Sequence, residues 1–181
     1  MKIKLIQAAT ATAIVALAGC ASGPASGPAS GSAEPLRATA QLNPTKGSKA
    51  LGEATFEQVG SKVHVFANVH GLKPGQQHGF HIHEAGDCSS GDGMSTKGHF
   101  NPSGTPHGKP GSGHAGDLPA LVADKEGRAK LDVEIEGVTV APGPASIVGR
   151  GLIVHADPDD FKTQPTGNAG ARIACGVIQM E

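Results

Sequence analysis

The sequence predicts an all-β domain, eight short antiparallel strands closed into a barrel or packed as a sandwich, with two long functional loops. Three observations carry this expectation. Apolar and polar residues alternate in short runs from about Arg37 onward, the period of half-buried strands. Gly (27 residues) and Pro (13) are abundant while Trp and Tyr are absent, which points to many turns rather than a helical bundle. No stretch keeps the apolar period of a long helix.

Taken in order, the first strand is expected over 37–42 and the second over 49–58. The third is the clearest: Lys62-Val63-His64-Val65-Phe66-Ala67-Asn68-Val69 alternates throughout. Segments 76–84 and 118–124 follow. The run Arg128-Ala129-Lys130-Leu131-Asp132-Val133-Glu134-Ile135 alternates again, and 148–155 and 171–179 complete the set. Two connections, 85–117 and 156–170, are too long for hairpins, and long ordered loops in compact domains are usually functional. Polar histidines crowd around both.

The chain of 181 residues suits one domain plus a leader. Lys2 and Lys4 precede an apolar run from Leu5 to Ala18, too short for a finished membrane span and suited to an export signal over 1–19. The run ends in Leu17-Ala18-Gly19-Cys20, which resembles the lipobox of bacterial lipoproteins, where the Cys is acylated and becomes the first mature residue. Residues 20–36 then form a lipidated Cys and a spacer of Ser, Gly, Pro and Ala that cannot bury enough apolar surface to fold. The expected product is a membrane-anchored lipoprotein of the bacterial cell envelope, facing the periplasm and held by lipid alone. That compartment is oxidising, so Cys88 and Cys175 are free to pair. Fifteen Lys+Arg against sixteen Asp+Glu leave a net charge of −1, which gives no reason to expect a nucleic acid partner. Any useful charge must be local.

Nine His is the unusual count. In Gly79-Phe80-His81-Ile82-His83 the two histidines are two apart on an expected strand, so both rings leave one face while Phe80 and Ile82 leave the other. By itself that is a weak signal, because strand histidines are often plain polar surface. His99, His107, His114 and Asp117 strengthen it, offering three imidazoles and a carboxylate to a tetrahedral ion. His155, at the end of an apolar strand, is one more candidate. Imidazole suits both zinc and copper, so ligand type leaves the metals open.

Four segments carry a closer resemblance: Gly79-Phe80-His81-Ile82-His83-Glu84, His99-Phe100-Asn101-Pro102, His114-Ala115-Gly116-Asp117-Leu118, and Gly167-Asn168-Ala169-Gly170-Ala171-Arg172-Ile173-Ala174-Cys175-Gly176-Val177-Ile178. Together they resemble the signatures of copper/zinc superoxide dismutases, and the likeness spans the domain, 37–181. It implies an eight-stranded Greek-key β-barrel related to immunoglobulin-like sandwiches. It implies one copper per subunit on His81, His83, His99 and His155, and one zinc on His99, His107, His114 and Asp117, with His99 bridging. Asp159 matches a carboxylate that accepts hydrogen bonds from His81 and His107, though Asp157 and Asp160 stand close enough in sequence to compete for the role. Arg172 matches the arginine at the mouth of the copper channel, and Cys88 and Cys175 match the intradomain disulfide. His78 matches a structural histidine; His64 and His70 match nothing catalytic.

The implied activity is dismutation of superoxide to oxygen and hydrogen peroxide, with copper as the redox centre and His99 taking a proton while zinc holds its other nitrogen. Arg172 and Lys162 are the expected guides for the anion. Departures from animal enzymes also stand out. The stretch after His155 is shorter, Pro165 stands where they carry a lysine, and Cys88 follows His83 by only five residues. Their steering arrangement and subunit interface therefore do not transfer, and a homodimer and a monomer are both compatible with the chain. A copper- or zinc-buffering protein on the same barrel is the rival reading; it has no use for an anion-guiding arginine.

Overall fold

The computed structural model describes residues 34–181, and Glu34–Glu181 form one compact unit. The expected signal peptide, Cys20 and most of the 20–36 spacer lie outside the described residues. Ten strands follow: β1 (Arg37–Pro44), β2 (Leu51–Val59), β3 (Lys62–His70), β4 (Gln77–His78), β5 (Phe80–His83), β6 (Leu121–Val122), β7 (Ala129–Ile135), β8 (Gly151–His155), β9 (Arg172–Val177) and β10 (Gln179–Met180). No α-helix is present among the described residues; one 3-10 turn spans Met94–Thr96.

Every pairing between these strands is antiparallel. The curled main sheet runs in the order β5-β8-β9-β1-β2-β3-β7, with β10 beside β1, while β4 and β6 pair separately. The alternation in the sequence sets the register. Val63, Val65, Ala67 and Val69 of β3 are buried, and Lys62, His64, Phe66 and Asn68 point the other way. The β2–β3 hairpin turns on Gly60-Ser61, and Gly60 at φ 60° takes a conformation that costs glycine little. Leu42, Phe56, Phe80, Ile82, Leu118, Leu121, Leu152 and Val154 meet in the core, all 1% exposed or less.

Three features differ from the sequence expectation. The expected strands 76–84 and 171–179 are each split, at Gly79 and Ile178, so that eight become ten. At Gly79 the reason is space: a Cβ there would come within 2.9 Å of the Ala169 side chain and 3.1 Å of His81. A third long connection, 136–150, joins β7 to β8. Most consequential, β5 and β8 are buried on both faces rather than half-buried.

The long connection after β5 lies over these strands, with Thr96 beside Gly151 and Gly93 beside Ile153. It returns along the free edge of β5, where Phe100 donates to the Ile82 carbonyl (2.8 Å), Ile82 to Gly116 (2.9 Å) and Glu84 to Gly98 (2.9 Å). A strand edge that would otherwise face water is thereby paired. The Cys88–Cys175 disulfide joins the same connection to β9 across 87 positions of sequence. Closing so long a loop lowers the entropy of the unfolded chain by the equivalent of about 4–5 kcal/mol.

Candidate metal centre

Because alternate side chains of a strand share a face, His81 and His83 leave β5 together, with ring centroids 6.3 Å apart. β8 runs antiparallel beside β5 and brings His155 to within 4.8 Å of His81, ring to ring. The connection after β5 brings His99 over the same face, 4.0 Å from His81 and 5.0 Å from His83. His107, His114 and Asp117 lie on the far side of His99, with the two rings 5.3 and 5.4 Å from it. All seven residues suggested by the spacing are thus brought together, and all are buried. They fall into two groups, His81-His83-His99-His155 and His99-His107-His114-Asp117, and within each the ligand atoms lie within 4.8 Å of one another.

The outward nitrogen of most rings is already committed. His83 donates from Nδ1 to the Lys97 carbonyl (2.9 Å) and His155 from Nδ1 to Gly170 (3.2 Å), which leaves Nε2 of each with a free lone pair. His81 and His107 are turned the other way round. Their Nε2 atoms donate to the two oxygens of Asp159, at 2.7 and 2.9 Å, so each Nδ1 faces inward. Asp159 also accepts from the Phe161 backbone at 2.7 Å. Asp157 and Asp160 serve elsewhere, near Gln76 and around Thr163.

The inward atoms His81 Nδ1, His83 Nε2, His99 Nε2, His155 Nε2, His107 Nδ1 and His114 Nδ1 are buried without a hydrogen-bond partner. Such atoms are costly unless something fills the space between them. Around the Asp117 carboxylate, the Nδ1 atoms of His99, His107 and His114 stand at 2.8, 3.0 and 3.4 Å. Those separations approach the ~3.3 Å between ligands of a tetrahedral zinc site with bonds of about 2.0–2.1 Å. His99 alone turns one nitrogen to each group. The donor chemistry fits a pair of metal ions, the first held by nitrogen alone and the second by three nitrogens and an oxygen.

Electrostatics keeps the donors ready. Burial, reinforced by neighbouring imidazoles, pushes His81 and His83 well below the usual histidine range, and burial brings His155 down to about 4. Neutral rings hold lone pairs at neutral pH, as a metal requires. Burial pushes Asp117 up, but hydrogen bonds from His99 and the His114 backbone outweigh it and hold the carboxyl below its ordinary value.

Arg172 opens β9 opposite His155. Its guanidinium donates to Gly93 O (2.7 Å), Thr96 Oγ1 (2.8 Å) and Lys97 O (2.6 Å), so the 3-10 turn fixes its direction. Lys162 is exposed. His78 donates from Nδ1 to the His155 carbonyl at 2.8 Å, His64 pairs with Asp132 on the outer surface, and His70 is exposed.

Lys97 is the residue that sequence reasoning missed. Its carbonyl holds both His83 and Arg172, and its backbone sits at φ 64°, ψ −145°, a region occupied almost only by glycine. The Gln164 side chain was missed as well; it accepts from His107 N (2.8 Å) and donates to His107 O (2.9 Å). Glycine at 167 gave the one available signal, since any Cβ there would overlap Asp159 and His107.

The sequence model of the family described as copper/zinc superoxide dismutase (SODC) matches residues 50–178. Superoxide dismutase [Cu-Zn] 2 of Aquifex aeolicus is 38% identical over 169 residues, covering 90% of this chain and 98% of the relative. Superoxide dismutase [Cu-Zn] of Paramecium bursaria Chlorella virus 1 is 42% identical over 156 residues, covering 77% and 82%. Among solved structures, the crystal structure of the clock protein EA4 superposes with a TM-score of 0.74 at 40% identity, covering 82% of this chain and 97% of that one.

The strain at Lys97 is measurable. Lys97→Gly relieves a conformation costing on the order of 1–3 kcal/mol and gives back about 0.5–1 kcal/mol of backbone entropy, so the variant gains about 1 kcal/mol of stability in denaturant unfolding. A loss of stability would mean that the lysine backbone is not strained.

Proposed function

The chain belongs to the copper/zinc superoxide dismutase family, and on that premise we propose that His81, His83, His99 and His155 hold its copper, His99, His107, His114 and Asp117 its zinc, and Arg172 the incoming substrate. The protein converts superoxide to oxygen and hydrogen peroxide, with copper and zinc as cofactors. The assignment of residues rests above all on one observation. Of the seven buried imidazole nitrogens without a hydrogen-bond partner among the described residues, all but His78 Nε2 fall into two ligand sets that share His99. Copper, when bound, supplies one-electron redox chemistry, and zinc, which has none, supplies fixed positive charge.

The residues divide the remaining work. His99 is the proton carrier in this reading. Its Nε2, whenever it is not holding the metal, would take up a proton from water and pass it on to the hydrogen peroxide product, while Nδ1 keeps the ring in register with the zinc set. Asp159 holds His81 and His107 in the tautomers that leave Nδ1 free. Arg172 spends three hydrogen bonds on its own support, which leaves Nε–H and one Nη2–H for a small anion. Burial lowers the Arg172 pKa, yet a guanidinium starts so high that it stays charged. Lys162 adds a second positive charge on the surface.

The reading extends to location. Residues 1–19 direct export, Cys20 carries the lipid, and 20–36 tether the domain on the periplasmic side of a bacterial envelope membrane. Support comes from Leu17-Ala18-Gly19-Cys20 and from the Cys88–Cys175 disulfide, which suits an oxidising compartment.

Metal-loaded protein should consume superoxide far faster than free copper does. His155→Ala should abolish that rate while retaining one zinc per chain. Arg172→Ala should slow it by about tenfold and flatten its dependence on ionic strength. A parent rate no better than free copper would remove the copper assignment, and an unchanged Arg172→Ala rate would remove the substrate role of that arginine. For the anchor, the mature mass should equal residues 20–181 plus acyl chains; a cleaved chain without lipid would contradict it.

A further inference from the structure

The zinc set has its own opening to solvent. A groove of about 490 Å³ lies between the loop carrying Pro110 and Gly113 and the end of β7, with His114 and Asp117 in one wall and Glu134 and Glu136 in the other. His81, His83, His155 and Arg172 take no part in lining it. His114, at 8%, is the most exposed of the seven ligands, whereas His81 and His83 are at 0%. Its Nδ1 is one of the buried atoms without a partner. A cation approaching along this groove therefore meets His114 first.

The far wall carries charge that suits such a visitor. Glu134 lies near the end of β7 and Glu136 just beyond it, and their side chains are 52% and 71% exposed. Lys62 reaches both, its Nζ 3.4 Å from an oxygen of each. Two carboxylates against one ammonium leave a net negative mouth, and exposed pairs of this kind are weak enough to exchange. Carboxylate oxygen is an ordinary zinc ligand, so a hydrated ion can exchange water for Glu oxygen and then for the buried imidazoles.

We infer that this groove is the loading route for zinc, separate from the copper channel beside Arg172, with Glu134 and Glu136 capturing the ion and Lys62 competing with it. The inference rests on the assignment of His114 and Asp117 to zinc. Once the ion has passed inward, the two glutamates hold none of it, and their role is in the rate of entry.

The test is stopped-flow uptake of zinc ion by the metal-stripped mature protein, with equilibrium zinc content and copper uptake measured on the same samples. Glu134→Gln/Glu136→Gln should slow zinc uptake by about tenfold at low salt, with the difference shrinking at high salt. It should still reach one zinc per chain, with copper uptake unchanged. Lys62→Ala should speed zinc uptake. Zinc bound at one per chain but loaded at the parental rate by the glutamine variant would overturn the route alone, as would equal slowing of copper. A parent chain that fails to reach one zinc, or a His114→Ala variant that binds zinc as the parent does, would overturn the zinc assignment and the route with it.

Discussion

The buried carboxylate of Asp159 is the interaction on which the rest of the centre depends. Its side chain is 1% exposed, and its two oxygens receive one imidazole from each ligand set, His81 at 2.7 Å and His107 at 2.9 Å. A charge buried this completely must be met by hydrogen bonds, and here the Phe161 backbone supplies a third. Those bonds decide which nitrogen of each ring stays free. They also couple the sets, because a shift of Asp159 toward one ring draws it from the other. The loop from 156 to 171 is built around this point: Gly167 leaves room for the carboxylate, and Gln164 clamps the His107 backbone from both sides.

A second constraint acts from the opposite side. The connection after β5 must lie flat against the strand edge to bring His99 over His81 and His83, and several groups press it there. Its backbone pairs with β5, Cys88 ties it to β9, and Arg150 stacks over Phe100 at 3.5 Å. Arg150 also donates to the Glu84 carbonyl and to Ser146, so the unexpected 136–150 connection is part of the same support. Lys97 then joins two residues of the centre, since one carbonyl accepts from both His83 and Arg172. The proposed substrate guide and the proposed copper ligand thus share an atom of support.

Legibility in the sequence followed the physics of each element. β2, β3 and β7 could be read because one face is wet and the other buried, so Val63 and Val65 alternate with Lys62 and His64. β5 and β8 could be placed but not understood, because Phe80-His81-Ile82-His83 and Gly151–His155 are buried on both faces, with a loop over them that local periodicity does not reveal. The donor types were legible, since a His-x-His pair and three more histidines with an aspartate at suitable spacing offer what a metal ion binds. The supporting atoms were not. Lys97 O, Gly170 O and Phe161 N are backbone groups that every residue carries, and a lysine gives no hint that it adopts a glycine-like conformation.

The most direct measurement is the affinity of Asp159→Asn for zinc and copper, by competition with chelators of known strength. An asparagine can accept through one atom only and presents donors at the other, so it cannot satisfy His81 and His107 together. The account predicts a fall in zinc affinity of about 10–100-fold, accompanied by weaker copper binding in the same variant. Both metals held as tightly as by the parent chain would contradict it.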